Sequence, residues 1–222
     1  MTDAPFFDPW PVPELDEDSQ QRDIDLPWMR PVHVAGVVVP VAADVHRGDD
    51  VVVQVTHVVA YRRGLEVHVG TWLRPGVRRD LTSAEDVWRE QEPRVGVRLA
   101  DGTRLGHRPP HAPTSPELEA RSSFTRAGGE GGGLRFSSAW WLHPFPAGDE
   151  LRVVVEWEHQ GVPESSVALD LGALRTAAAG EEVLWNPPPP LGEGDSFGWF
   201  AYAPMSGDSY QSSRAFHVDE PD

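Results

Sequence analysis

The chain has 222 residues, 35 acids against 19 basic residues, a formal net charge of −16, and no cysteine. That length is enough to bury a full core in one domain. The missing cysteine excludes disulfides, thiolate metal sites and a cysteine nucleophile, and the acidity argues against nucleic acid or an anionic membrane surface as partner, since both need clustered positive charge.

All the basic residues are arginine, and Asn186 and Ile24 are the sole examples of their types. This looks like the codon usage of a GC-rich genome, so the absence of lysine is not read as adaptation to phosphate. Residues 1–30 hold 8 acids and 2 arginines, residues 186–222 hold 6 acids and 1 arginine, and the middle is nearly balanced. The chain therefore reads as an acidic, proline-rich arm over 1–30, a folded domain over 31–186, and an aromatic, acidic extension over 187–222. The N-terminus carries no basic and apolar leader, and no apolar run of 18 residues occurs, so a cytoplasmic protein without a membrane span is expected.

In the arm, Phe6, Phe7 and Trp10 are compatible with either a free tail or a docked one, whereas Leu26–Met29 are expected to dock on the body. A first strand is predicted over Val32–Val39, with Gly36 as a bulge. The polar turn His46–Asp50 leads to a strand over Val51–Tyr61, which alternates through Val51, Val53 and Val55. Arg62–Gly64 turns the chain into Leu65–Leu73, where Leu65, Val67 and Val69 share a face. Pro75-Gly76 marks a further turn, and the capping spacing of Thr82 and Glu85 predicts a short helix over Thr82–Gln91. Val95, Val97 and Leu99 approach Asp101-Gly102, a strong hairpin signal, with the return strand at Thr103–Leu105. Residues 107–133 read as a long connection with one helical turn at Ser115-Pro116-Glu117, ending in a flexible glycine loop, Ala127–Gly133.

The stretch Leu134–His159 is the most informative. Its second strand places Leu151, Val153, Val155 and Trp157 on one face and Arg152, Glu156 and Glu158 on the other. In its first strand Phe136, Ser138, Trp140 and Leu142 share a face, so Trp141 must point to the opposite side. A last strand is predicted over Ser166–Leu171. Asp170 caps a short helix, Leu171–Ala179, stopped by Gly180, that plugs one end. Roughly eight short strands with frequent turns predict an all-β fold: an antiparallel two-sheet β-sandwich, Ig-like or jelly-roll-like, with one or two short helices.

The motifs with catalytic precedent lack their context. Gly194–Gly198 matches the nucleophile pattern G-x-S-x-G around Ser196, but a proline run precedes it and only His217 follows, so the required strand-turn-helix setting is missing. The glycine loop has no Lys-Ser/Thr ending and is not a phosphate cradle. His107 and His111 are separated by two prolines. His46, Asp49 and Asp50 form a polar turn whose composition the turn itself explains, and no ligand set is spaced for tetrahedral closure, so no metal site is assigned. Glu156 and Glu158 read as a solvated strand face rather than a glycosidase pair. No cofactor is implied. What remains is binding: Arg135, Trp141, His143 and Phe145 are the candidate residues of an aromatic patch on an outer sheet face. The opposing possibility is that the chain covers this patch itself.

From Gly131 to Trp185 the chain resembles an uncharacterised family of actinobacterial proteins. The resemblance rests on Gly131–Gly133, Trp140-Trp141 with Pro144 and Pro146, Gly148, Val153–Trp157, Gly161–Glu164, Ala177–Ala179 and Leu184-Trp185. His143 stands where the family usually has an aliphatic or aromatic residue. The resemblance implies the domain boundaries and a high-GC bacterial origin; no activity comes with it. The expected function is a non-catalytic protein-interaction module with an unknown protein partner. The alternatives are a carbohydrate-binding or hydrolytic β-sandwich, which needs an aromatic groove with facing carboxylates or a Ser196–His217 contact, and a structural subunit of a larger assembly.

Overall fold

The computed structural model describes residues 28–76, 92–106, 122–132 and 134–187. The helix expected at 82–91, the turn at 115–117, His107, His111, Ser196 and His217 lie outside them, as do nearly all of the two terminal segments.

The architecture is an antiparallel β-sandwich. One sheet has five strands in the order β2 (Val37–Arg47), β3 (Val51–Ala60), β4 (Leu65–Leu73), β8 (Arg135–His143) and β7 (Ser123–Gly132). The other has four, β10 (Val162–Asp170), β9 (Glu150–Trp157), β5 (Arg94–Arg98) and β6 (Arg104–Gly106). Strands β2 and β10 approach at one side of the sandwich, β6 and β7 at the other. A separate two-stranded ribbon pairs β1 (Val34–Ala35) with β11 (Glu182–Val183).

The core follows from alternation. Strand β9 buries Leu151, Val153, Val155 and Trp157 against Val53, Val55, Val67, Val69, Trp140 and Leu142 of the larger sheet. In β3 the alternation slips at Thr56-His57, where a bulge lets Val58 and Ala60 take over the inward positions from Val51, Val53 and Val55. The bulge also turns His57 outward beside its partner His68. Helix α1 (Leu171–Ala178) buries Leu171, Leu174 and Ala178 over one end. Its cap is the expected one: Asp170 accepts hydrogen bonds from the Gly172 and Ala173 amides at 2.8 and 3.2 Å.

Two expectations fail here. Most of the glycine stretch 127–133 is not a loop: residues up to Gly132 form the outer half of β7, paired along Gly128–Ala139, Gly129–Ser138 and Gly131–Phe136. Backbone pairing needs no side chain, and at Gly129 and Gly131 the spacing leaves no room for one. A Cβ on Gly129 would stand 2.8 Å from the Ser137 carbonyl oxygen, and one on Gly131 would stand 2.6 Å from the Phe136 ring. The predicted first strand is also two elements. The chain breaks at Gly36, where a Cβ would meet the Tyr61 ring at 2.7 Å, and residues before the break leave the sheet to pair with β11.

Candidate functional site

Residues 135, 137, 139, 141 and 143 of β8 face away from the core, and register sets Glu66 of β4 opposite Trp141 and Thr125 of β7 on its other flank. Trp141 thus lies on the outer face of the five-stranded sheet, near the end of β8, as the alternation requires. It is not exposed there: only 3% of it meets solvent. The segment before β1 lies across it. The Trp141 indole N–H donates to the Trp28 carbonyl at 2.9 Å, and Tyr61 packs edge-on against the ring with centroids 5.5 Å apart. Gly64 leaves the space the ring fills, since a Cβ there would stand 2.8 Å from it.

This strap has its own anchors. The Arg30 guanidinium donates to Glu66, whose side chain is only 6% exposed. The backbone carbonyl of His33 accepts from the Leu184 amide at 2.9 Å, and Val34 pairs with Val183. Glu66 Oε1 also lies 2.8 Å from His68 Nε2, in ion-pair range but not aligned as a hydrogen bond. The His68 ring stacks on His57 at 4.0 Å, and His57 Nδ1 is 3.0 Å from the Thr56 hydroxyl. A line of polar groups therefore runs from Arg30 through Glu66 and the two imidazoles. Burial pushes the Glu66 carboxyl up, but the neighbouring His68 and Arg30 outweigh it and hold it below its ordinary value. Burial, followed by the proximity of His68, lowers His57. Burial also raises the Tyr61 hydroxyl.

The four residues expected to form one patch do not come together. Trp141 and His143 are buried, the latter at 8% exposure, and desolvation lowers the His143 pKa. Phe145 leaves the sheet after a cis His143–Pro144 peptide and packs against the core. It is held by its amide donating to the Arg63 carbonyl at 3.0 Å and by the Arg175 guanidinium 5.4 Å from its ring centroid. Arg135 is exposed, but at the far end of β8, about 20 Å from Trp141 by strand rise, where it lies over Trp72. The expectation of an open aromatic patch is corrected: the chain covers its own second tryptophan.

The exposed apolar surface lies next to the strap instead. In the ribbon Val34 stands opposite Val183, and the Leu184 amide donates to the His33 carbonyl just beyond that pair. Val183 in the ribbon, and Val32, Leu184 and Trp185 immediately beside its paired residues, are 63%, 50%, 45% and 61% exposed. The sequence carried a signal for this in Val183-Leu184-Trp185, three large apolar residues after the helix stop, but nothing local to show what they pair with.

Glu156 and Glu158 form no facing pair: Glu156 receives Arg94 at 2.6 Å, and Glu158 has left the strand for a 3₁₀ turn. Among the described residues no group of three His, Cys, Asp or Glu side chains is placed to hold a metal, and no helix is long and apolar enough to cross a membrane. Comparison with protein-family models, with curated proteins and with solved structures finds no match.

Proposed function

We propose that the chain is a non-catalytic protein-interaction module and that its contact surface is the apolar face of the β1–β11 ribbon, not the covered face around Trp141. The observation that carries this reading is the exposure of Val183 in the two-stranded ribbon together with Val32, Leu184 and Trp185 immediately beside it. Such a ribbon has little stability of its own. Turning its apolar side to water adds a cost that a partner surface removes, and buried tryptophans are the side chains that most often dominate protein contacts. The strap supports the reading by fixing one strand of the ribbon to the sandwich through Arg30 on Glu66 and the Trp28 carbonyl on Trp141.

The test is quantitative capture from the native host with the tagged full chain, a Val183→Ser/Trp185→Ser variant and Trp141→Phe. A stoichiometric partner held by the wild type and by Trp141→Phe, and lost with the ribbon variant, supports the proposal. Equal retention by the ribbon variant overturns it, and so does the absence of any stoichiometric partner.

A further inference from the structure

The outer face of the four-stranded sheet carries an arrangement unrelated to the ribbon. Register places Ala168, Arg152, Arg98 and Arg104 side by side on β10, β9, β5 and β6. Three guanidinium side chains thus stand on adjacent strands, and at about 4.8 Å between strands the row from Arg152 to Arg104 is about 10 Å long. Like charges directly opposite one another destabilise a sheet. In a chain with 35 acids and 19 arginines, no acid stands in this row. The nearby carboxylates engage the arginines from outside it: Glu150 lies 2.8 Å from Arg152 Nε, and Glu164 only 4.0 Å from Arg98 Nη2. Arg98 Nε is shielded from solvent and has no hydrogen-bond partner among the described residues.

The next row is Ser166, Val154, Gly96 and Gly106. Two of its four positions lack side chains, and a Cβ on Gly106 would meet nothing within 4 Å. The arginine row therefore borders a shallow trough floored by backbone. Beyond the trough, Arg94 is satisfied by Glu156.

We propose that this row is a binding site for an extended acidic peptide segment. In an extended peptide the side chains at i and i+2 point the same way and lie about 7 Å apart. Two such carboxylates fit within the row of guanidiniums, about 10 Å long, while the peptide backbone lies along the glycine trough. A carboxylate bound there relieves the repulsion between adjacent arginines. The strongly negative chain disfavours a denser polyanion, which leaves spaced carboxylates as the matching chemistry.

The experiment measures fluorescence anisotropy of a labelled Asp-Ser-Asp-Ser-Asp-Ser peptide against the full chain at low ionic strength, with the Asn-Ser counterpart as neutral control. Saturable binding that weakens with salt is expected. Arg98→Gln and Arg104→Gln should each weaken it about fivefold, the effect of one charge pair, and Arg94→Gln less than about twofold. Melting of the same variants separates binding from structure. Arg98→Gln should leave Tm unchanged or slightly raised, because a like-charge neighbour is removed. No saturable binding, equal affinity for the row variants, a Tm loss of several degrees in Arg98→Gln, or preferential displacement by inorganic tripolyphosphate would each overturn the assignment.

Discussion

Replacing Trp141 by alanine discriminates most sharply between a covered and an exposed outer face. On an exposed face the substitution would change stability by no more than about 0.5 kcal/mol. In this structure the indole is 3% exposed, sits between Tyr61 and the Gly64 turn, and donates to the Trp28 carbonyl. Truncating a buried aromatic costs about 3–5 kcal/mol, and the hydrogen bond adds about 1 kcal/mol. For a domain of this size each 1 kcal/mol lowers Tm by about 2–4 °C, so Trp141→Ala should melt roughly 8–24 °C earlier. Trp141→Phe, which keeps most of the ring but loses the donor, should fall by about 1–2 kcal/mol. Urea unfolding followed by circular dichroism gives both values. Chymotrypsin cleavage after Trp28 reports the strap separately and should accelerate in Trp141→Ala. A destabilisation below about 0.5 kcal/mol would refute the burial argument and restore Trp141 as a surface residue.

Gly64→Ala should cost about 1–3 kcal/mol, towards the upper end, because its Cβ would stand 2.3 Å from the Leu142 carbonyl oxygen; an unchanged urea midpoint would contradict that packing. Asp170→Ala removes the acceptor for two amides at the start of α1 and should cost about 0.5–2 kcal/mol, with Asp170→Asn recovering most of the loss. Stability should also fall with acidification. His57 and His143 have folded pKa values below the ordinary histidine value, so their contribution is complete above about pH 6.5 and diminishes as pH falls towards the folded values. Glu66 is depressed as well, and its contribution is lost only as pH falls below about 4.3 and through its folded value. Glu66→Gln should flatten the lower part of that profile and deepen the His57 part, because the Glu66 charge holds His57 up; urea midpoints from pH 4 to pH 8, extended to pH 3 where the protein allows, measure both.

Period-two alternation was enough to establish the sandwich and to orient its central strands. The inward set Leu151, Val153, Val155 and Trp157, the opposed pair Trp140 and Trp141, the hairpin at Asp101-Gly102 and the Asp170 cap are all local features, decided by neighbours a few residues apart. Three other features depended on contacts distant in sequence. Gly128–Gly132 became an edge strand because β8 offered a complete row of backbone donors and acceptors, which composition does not encode. The bulge at Thr56-His57 reversed the parity of β3, so that Val58 and Ala60 rather than His57 and Val59 faced inward; a one-residue slip leaves no mark in a run this rich in valine. The fate of Trp141 was settled across more than a hundred residues, by the Trp28 carbonyl and by Arg30 on Glu66. The sequence by itself determined that one tryptophan must face out of the core, because side chains alternate along a strand. Whether that face met water was decided only by the tertiary structure, which brought the strap across it and left the apolar side of the ribbon open instead.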